Sequence, residues 1–246
     1  DWRTPEAKAR DTNRHPVEAL TFWGLKPGMT VLEVQPGAQS WWTEILAPYA
    51  QRTGGKFYVT GPDLSNPELP EGARKSRAAF EARYGAKPDL YGKIDVVNWG
   101  AKSAPLPKDT FDFILTARSV HGWMGQPGMA EKTFKEFYDA LKPGGILALE
   151  QHRANPGPQD PKAPTGYVTE DYVIELAKKA GFTLAAKSEL NANPKDTKDH
   201  PFGVWTLPPA LRSTAYGSKV DEDPTFDHSK YVAIGESDRM TLKFIK

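Results

Sequence analysis

Short apolar runs alternate with amphipathic segments along most of the chain. The runs Thr30–Val34 and Phe111–Thr116 are rich in β-branched and aromatic residues, which predicts strands. Met129–Leu141 carries apolar residues at the spacing of a helix. Strands that alternate with helices are typical of a parallel sheet covered by helices on both faces. We predict strands at residues 30–34, 56–60, 94–98, 111–116, 146–150, 182–190 and 240–244, and helices at 41–51 (with Ser40 as N-cap), 73–84, 129–141 and 170–179.

Two segments do not follow this alternation. Residues 1–25 mix charged and small side chains and predict a helical N-terminal lead-in that Pro16 breaks or restarts. Residues 191–238 contain five prolines and little periodicity, which predicts a long loop between the sixth and seventh strands. A loop of this length is either a functional lid or an ordered segment that covers the sheet edge. We expect residues 1–246 to form a single domain.

Composition narrows the function classes. The 32 Lys and Arg residues nearly balance the 31 Asp and Glu residues. A protein that binds nucleic acid mainly through charge needs an excess of basic residues, so this class is excluded. No apolar run approaches the roughly 18 residues of a membrane span. The absence of cysteine excludes disulfides, thiolate zinc sites and cysteine nucleophiles, and it fits an exported protein as well as many cytoplasmic ones. Since the chain starts at Asp1 with no initiator Met, we expect that a leader was removed or the chain was trimmed.

Several motifs carry a family resemblance. The chain resembles class I S-adenosylmethionine-dependent methyltransferases at residues 31–37 (VLEVQPG), 111–115 (FDFIL) and 141–147 (LKPGGIL). It also resembles a bacterial group of methyltransferase-like proteins, often exported, at residues 118–124, 150–154 and 234–239. The resemblance implies a Rossmann-like sheet of seven strands in the order 3-2-1-4-5-7-6, with strand 7 antiparallel. It also implies an exported, periplasmic location, or otherwise a cytoplasmic one.

The resemblance further implies that S-adenosylmethionine binds over the carboxyl ends of the first three strands. Such proteins carry an acidic residue followed by Gly-x-Gly-x-Gly after the first strand. Glu33 and Gly37 match this motif, whereas Gln35 and Gln39 stand where the first and third glycines would be. Glycines there let the backbone approach the ligand closely, so we expect weak or absent cofactor binding.

The residues that would hold the nucleoside also depart from the family pattern. The usual acid for the ribose hydroxyls after the second strand is replaced by Thr60, and Asp63 follows only after Gly61 and Pro62. Asn98, at the end of the third strand, is the candidate adenine contact. We therefore include Asp63 and Asn98 among the cofactor-binding residues.

Polar side chains follow the fourth and fifth strands. His121 is the candidate general base, because its ordinary pKa of about 6.5 suits proton transfer near neutrality. His152 lies at the end of the neighbouring strand and would act beside it as base or electrophile. Arg118 and Arg153 flank the histidines and either clamp a carboxylate or phosphate or form internal ion pairs with Glu150 and Glu236. Two histidines at this separation are a weak metal signal, and we expect no metal site.

Aromatic residues near these positions predict a shaped substrate pocket. Trp41 and Trp42 follow the first-strand loop, and Trp123 follows His121. They form a wall over a ligand or pack in the core. We add Asp196 as a polar substrate-binding candidate. His200 and His228 lie in polar stretches of the long loop, and we expect them to be solvated.

Three functions remain open. The first is an enzyme that transfers a methyl group from S-adenosylmethionine to a small aromatic or hydroxyl-bearing acceptor. The second is an enzyme on the same scaffold that no longer binds this cofactor and performs histidine-based acid–base chemistry, as a lyase, isomerase or hydrolase. The third is a non-catalytic binding protein. Each implies a small-molecule partner, and the sequence leaves the substrate and the oligomeric state open.

Overall fold

One sheet organises the structure, a computed structural model that describes residues 2–246; Asp1, part of the predicted lead-in, lies outside the described residues. Within the described chain, seven strands pair in the order β3-β2-β1-β4-β5-β7-β6. The five strands β3, β2, β1, β4 and β5 are parallel to one another, and β7 runs antiparallel to both β5 and β6. The predicted fold class and strand order are therefore confirmed. The strands are β1 Thr30–Val34, β2 Lys56–Pro62, β3 Ile94–Trp99, β4 Phe111–Ala117, β5 Leu141–His152, β6 Thr183–Ser188 and β7 Arg239–Ile245.

Helices cover both faces of the sheet. Successive side chains of a strand point to opposite faces, so Phe113 and Leu115 of β4 enter one core cluster while Ile114 enters the other. Burial on both faces explains why β4 is continuously apolar.

Among residues 2–246, no helix has the length and apolar character needed to cross a membrane. The helices are α1 Pro5–Ala9, α2 Asp11–Arg14, α3 Pro16–Trp23, α4 Thr43–Thr53, α5 Glu71–Gly85, α6 Pro88–Tyr91, α7 Val120–Met124, α8 Met129–Ala140, α9 Glu170–Ala180 and α10 Ser229–Ile234.

The predicted start of α4 is wrong. Ser40 is not the N-cap: its φ is +49° and its hydroxyl donates to the Gly37 carbonyl at 3.0 Å. The helix begins at Thr43, with Trp42 in the N-cap position and no side-chain cap.

The predicted lead-in and long loop both contact the sheet. Pro16 restarts the lead-in as α3, whose Trp23 indole N–H donates to the Leu242 carbonyl of β7 at 2.9 Å. The segment between β6 and β7 contains a short 3-10 helix, Gly203–Thr206, and α10. Gly203 has φ +61°, and a Cβ there would overlap the Thr165 backbone, so this position requires glycine. The close approach holds the loop near the carboxyl end of β5.

Candidate active site

A cavity of about 560 Å³ lies at the carboxyl ends of β1, β2 and β3, and we call it cavity A. Its floor is the loop Gln35–Ala38 together with Val59–Pro62, and its sides come from α5 and β3. Its volume lies within the range of small-molecule pockets, roughly 300–1,000 Å³. Its remaining lining residues are Ser40, Ser76, Arg77, Ala79, Phe80, Arg83, Val96 and Trp99.

Gln35 adopts a backbone conformation that glycine would take more easily. Its φ is +50°, a left-handed conformation that costs a non-glycine residue roughly 1–2 kcal/mol. Two hydrogen bonds offset this cost: the Gln35 N–H donates to Thr60 Oγ1 at 2.8 Å, and Trp123 Nε1 donates to Gln35 Oε1 at 2.9 Å. Gln39 Oε1 accepts from Arg10 Nη1 at 2.5 Å, and Gln39 is not among the residues that line cavity A. Cavity A therefore stays open although two glycines of the motif are absent.

The two nucleoside candidates lie beside cavity A and do not line it. Asp63 is buried and accepts from the backbone N–H and hydroxyl of Ser65 at 2.9 and 2.6 Å. Asn98 Oδ1 accepts a hydrogen bond from Arg77 Nη1. Among the residues that line cavity A in the described chain, none is acidic. No carboxylate is thus placed for the ribose hydroxyls.

A second cavity of about 320 Å³, cavity B, adjoins cavity A across the shared loop Gln35–Ala38. Trp41 and Trp42 both line it and are both buried, with their rings 4.8 Å apart and nearly perpendicular. Both tryptophans therefore pack in the hydrophobic core and also line cavity B. Pro209 and Ala210 of the long loop also line it. The other polar lining residues are Arg10, Arg14, Glu33, Gln39 and Arg118.

Glu33, the residue before the last of β1, lines cavity B. The Thr43 hydroxyl donates to its Oε2 at 2.6 Å, and the side chain is almost completely buried. Burial outweighs this hydrogen bond and the nearby Arg118 charge, and it raises the pKa of Glu33 to about 8. Glu33 therefore carries its proton at neutral pH.

Two arginines that line cavity B, Arg10 and Arg14, share a carboxylate with Arg239. Glu236 accepts from Arg10 Nε at 2.8 Å, Arg14 Nε at 3.0 Å and Arg239 Nη1 at 2.7 Å. Burial alone would raise the pKa of Glu236, but the arginines, Arg14 first, outweigh it and lower the pKa to about 2. This cluster joins α2 of the lead-in to the start of β7. The sequence indicated ion pairs of Glu236 but not its pairing with Arg10 and Arg14, because these arginines lie 226 and 222 positions away along the chain.

The structure brings His121 and His152 together, with their ring centroids 5.7 Å apart. Trp205 of the long loop packs against His121, with the two ring centroids 5.6 Å apart. Burial lowers the pKa of His121 to about 4. It also lowers the pKa of His152 well below 6.5, with the neighbouring His121 and Arg118 acting in the same direction. Both imidazoles are therefore neutral at pH 7.

Gln151, a buried residue that the sequence prediction missed, determines which nitrogen of His121 carries the proton. Its Oε1 accepts from the Val120 N–H at 3.1 Å and its Nε2 donates to the Gly166 carbonyl at 3.0 Å, so the amide orientation is fixed. The same Nε2 lies 3.1 Å from His121 Nδ1, which must then accept. His121 consequently presents an Nε2–H donor. His152 Nδ1 lies 2.6 Å from the Ser237 hydroxyl, a partner that either donates or accepts.

Arg118 lies between cavity B and the histidines. It lines cavity B, its φ is +60°, and its Nε is 3.8 Å from Glu150 Oε1. Arg153, the other predicted clamp, instead bonds to Glu189 at 2.7 Å and to Asp238 at 2.9 Å. These ion pairs raise the pKa of Arg153 and occupy its guanidinium.

The polar residues of the long loop form their own buried network. Asp196 accepts from the Tyr167 hydroxyl at 3.0 Å, from His200 Nε2 at 2.8 Å and from the Asp238 N–H at 2.8 Å. The expectation of a solvated His200 is therefore wrong, because its ring is buried on Asp196. His228 is likewise not fully solvated and packs on Phe226 at 5.0 Å. Within residues 2–246, no group of three or more His, Asp or Glu side chains is arranged to hold a metal ion.

Comparison with known proteins gives matches to methyltransferases. Residues 34–149 match the family model described as a methyltransferase domain. The strand order β3-β2-β1-β4-β5-β7-β6 agrees with this match, because it is the order of the class I methyltransferase fold. The resemblance inferred from the three motifs is thereby confirmed.

Individual relatives of this methyltransferase-like chain are distant. It is 25% identical over 133 residues to the demethylmenaquinone methyltransferase of Lysinibacillus sphaericus, a match that covers 53% of this chain and 47% of that protein. The chain thus spans about half the length of the curated relatives it matches. A methyltransferase structure from Aquifex aeolicus is 23% identical, with a TM-score of 0.51 over 77% of this chain and 93% of that one. The cyclase SpnF is 17% identical, with a TM-score of 0.60 over 95% and 81%. These structures share the fold.

Proposed function

We propose that this chain transfers a methyl group from S-adenosylmethionine to a small, hydroxyl-bearing acceptor. Cavity A is the observation that carries the proposal. It lies outside the carboxyl ends of β1, β2 and β3, where open α/β sheets bind ligands, and the side chains of Gln35 and Gln39 leave it open. The methyltransferase-domain match over residues 34–149 supports the same reading.

The residues present in cavity A fit a nucleoside in most respects. The loop Gln35–Ala38 would face the cofactor with its backbone, and Phe80 and Val96 offer apolar surfaces for a base. When bound, the cofactor supplies an electrophilic methyl group. Because no carboxylate is placed for the ribose hydroxyls, one charge-assisted hydrogen bond is lost, which weakens binding by roughly 1.5–3 kcal/mol, or about 10- to 100-fold. We therefore expect micromolar affinity.

The two histidines would take different roles. His121 donates through Nε2–H, because Gln151 occupies its Nδ1, and would orient the acceptor oxygen. His152 is neutral and would take the acceptor proton at Nε2 when Ser237 accepts from its Nδ1–H. Trp205 covers His121 and would limit water access. This division differs from the initial assignment of His121 as the base.

Calorimetric titration with S-adenosylhomocysteine tests the proposal. Ala79 is exposed on α5 and lines cavity A, so Ala79→Trp fills the cavity, whereas the neighbouring exposed Ala78 does not line it. We expect a micromolar Kd for the wild type and for Ala78→Trp, and loss of binding for Ala79→Trp. Absence of binding to the wild type at millimolar ligand, or equal binding by both variants, would contradict the proposal and favour cofactor-free acid–base chemistry.

A further inference from the structure

Guanidinium groups outnumber carboxyl groups around cavity B. In the described chain, Glu236 and Glu150 are shared among four arginines, and Glu33 is the third acid nearby. Even if all three acids were ionised, one positive charge would remain without a partner. The arginines concerned are Arg10, Arg14, Arg118 and Arg239. A buried positive charge without a partner is costly, so the cavity is built for an anion.

Arg14 shows most clearly that positive charge at cavity B lacks a partner. Its side chain is 1% exposed, and its Nη1 and Nη2 have no hydrogen-bond partner in the described chain. Its Nε alone bonds to Glu236. The guanidinium carbon lies 4.7 Å from the Trp41 ring centroid, and stacking of this kind leaves the in-plane N–H groups free to bind a carboxylate in a bidentate manner.

The cofactor does not by itself supply the missing anion. The reacting end of S-adenosylmethionine has a sulfonium and an ammonium group against one carboxylate, so it adds net positive charge. Arg10, Arg14 and Arg118 border the cavity that adjoins cavity A. Bringing a cationic group next to them is unfavourable unless a second ligand is negatively charged.

We propose that cavity B binds the acidic group of the methyl acceptor, which is therefore a small organic acid. This inference rests on the proposed function for the identity of the second ligand. Arg14 and Arg118 would hold the carboxylate, and the tryptophan wall would contact the apolar part of the acid.

Titration of the S-adenosylhomocysteine-loaded protein with benzoate and with benzamide, its neutral isostere, tests the proposal. We expect benzoate to bind at least about tenfold more tightly than benzamide, and Arg14→Gln to weaken benzoate binding by about tenfold or more. Arg14→Gln should fold, because Glu236 keeps Arg10 and Arg239. If it melts too early for titration, Arg118→Gln provides the same comparison, because Arg118 is the other guanidinium that would hold the carboxylate.

Arg3→Gln is the matched control. The Arg3 guanidinium also stacks on Trp41, at 4.9 Å, but it is paired with Asp11 and does not line cavity B. This variant should bind benzoate like the wild type. Equal binding of benzoate and benzamide, no benzoate binding, or unchanged benzoate binding by Arg14→Gln would overturn the proposal.

A second comparison shows whether Arg14 holds the carboxylate of the cofactor or the carboxylate of the methyl acceptor. S-adenosylhomocysteine has an amino-acid carboxylate, whereas 5′-methylthioadenosine has none. If Arg14→Gln weakens binding of the first and leaves the second unchanged, the guanidinium holds the cofactor and the acidic-acceptor proposal is wrong. If neither nucleoside binds the wild type, the proposed function fails, while benzoate binding by the ligand-free protein still reports on cavity B.

Discussion

Replacing Glu236 by glutamine removes the carboxylate that holds the arginine cluster together. Its side chain is 7% exposed and bonds to Arg10, Arg14 and Arg239. The arginines keep its pKa at about 2 in the folded protein, against an ordinary value of 4.5. Because the folded-state pKa is depressed, the ionised form stabilises the fold above pH 4.5, and this contribution is lost as the pH falls toward 2.

The size of the effect follows from this shift. A fall of the pKa from 4.5 to about 2 corresponds to about 3 kcal/mol of stability at pH 7. The same relation leaves about 1.5 kcal/mol at pH 3, where the folded carboxylate is still mostly ionised. Glu236→Gln should therefore cost about 3 kcal/mol at pH 7 and about half of that at pH 3.

Urea unfolding of the wild type and the variant at both pH values measures this difference. Glu189→Gln is the control: Glu189 bonds to Arg153 at 2.7 Å, but its side chain is 66% exposed, so its loss should cost less than about 1 kcal/mol. A Glu236→Gln cost below about 1 kcal/mol at pH 7, or one that does not shrink at pH 3, would refute the assigned role of the cluster.

Other substitutions test the remaining structural features. Burial raises the pKa of Glu33 to about 8, so the wild type loses stability as the pH rises above the ordinary pKa of 4.5. In urea titrations, the free energy of unfolding of Glu33→Gln should therefore gain roughly 4 kcal/mol on that of the wild type between pH 5 and pH 9. A difference that stays constant over this pH range would contradict the prediction. Gly203→Ala should lower the melting temperature far more than Gly217→Ala, since a Cβ at Gly203 overlaps backbone and one at Gly217 meets open space; equal shifts would contradict the packing. Gln151→Leu removes the amide that bonds to His121 Nδ1, so His121 should be free to change tautomer. NMR should then show altered ¹⁵N chemical shifts of the His121 ring nitrogens. Unchanged shifts would contradict the role of Gln151.

The sheet could be predicted from the sequence because its signals are local. Buried strands such as β4 are continuous apolar runs, and the Lys142-Pro143-Gly144-Gly145 stop lies where α8 gives way to β5. The start of α4 could not be predicted in the same way. Ser40 is a good capping residue by type, but its hydroxyl bonds to the Gly37 carbonyl inside the loop.

The site was predicted only in its outline. His121 and His152 lie close together because neighbouring strand ends meet at one edge. The partners that set their chemistry were not evident: Gln151 was one polar residue among many, and its effect depends on contacts with Val120 and Gly166. His200 lies in a polar stretch, and its burial on Asp196 depends on how the long loop packs.

A crystal structure of the protein grown with S-adenosylhomocysteine would show whether cavity A holds the cofactor. We expect nucleoside density in cavity A, between the loop Gln35–Ala38 and Phe80, with the sulfur directed toward cavity B and the histidines. The Gln35 side chain should keep its hydrogen bond with Trp123. Density at another face of the sheet, or an empty cavity A at saturating ligand, would contradict the proposed function.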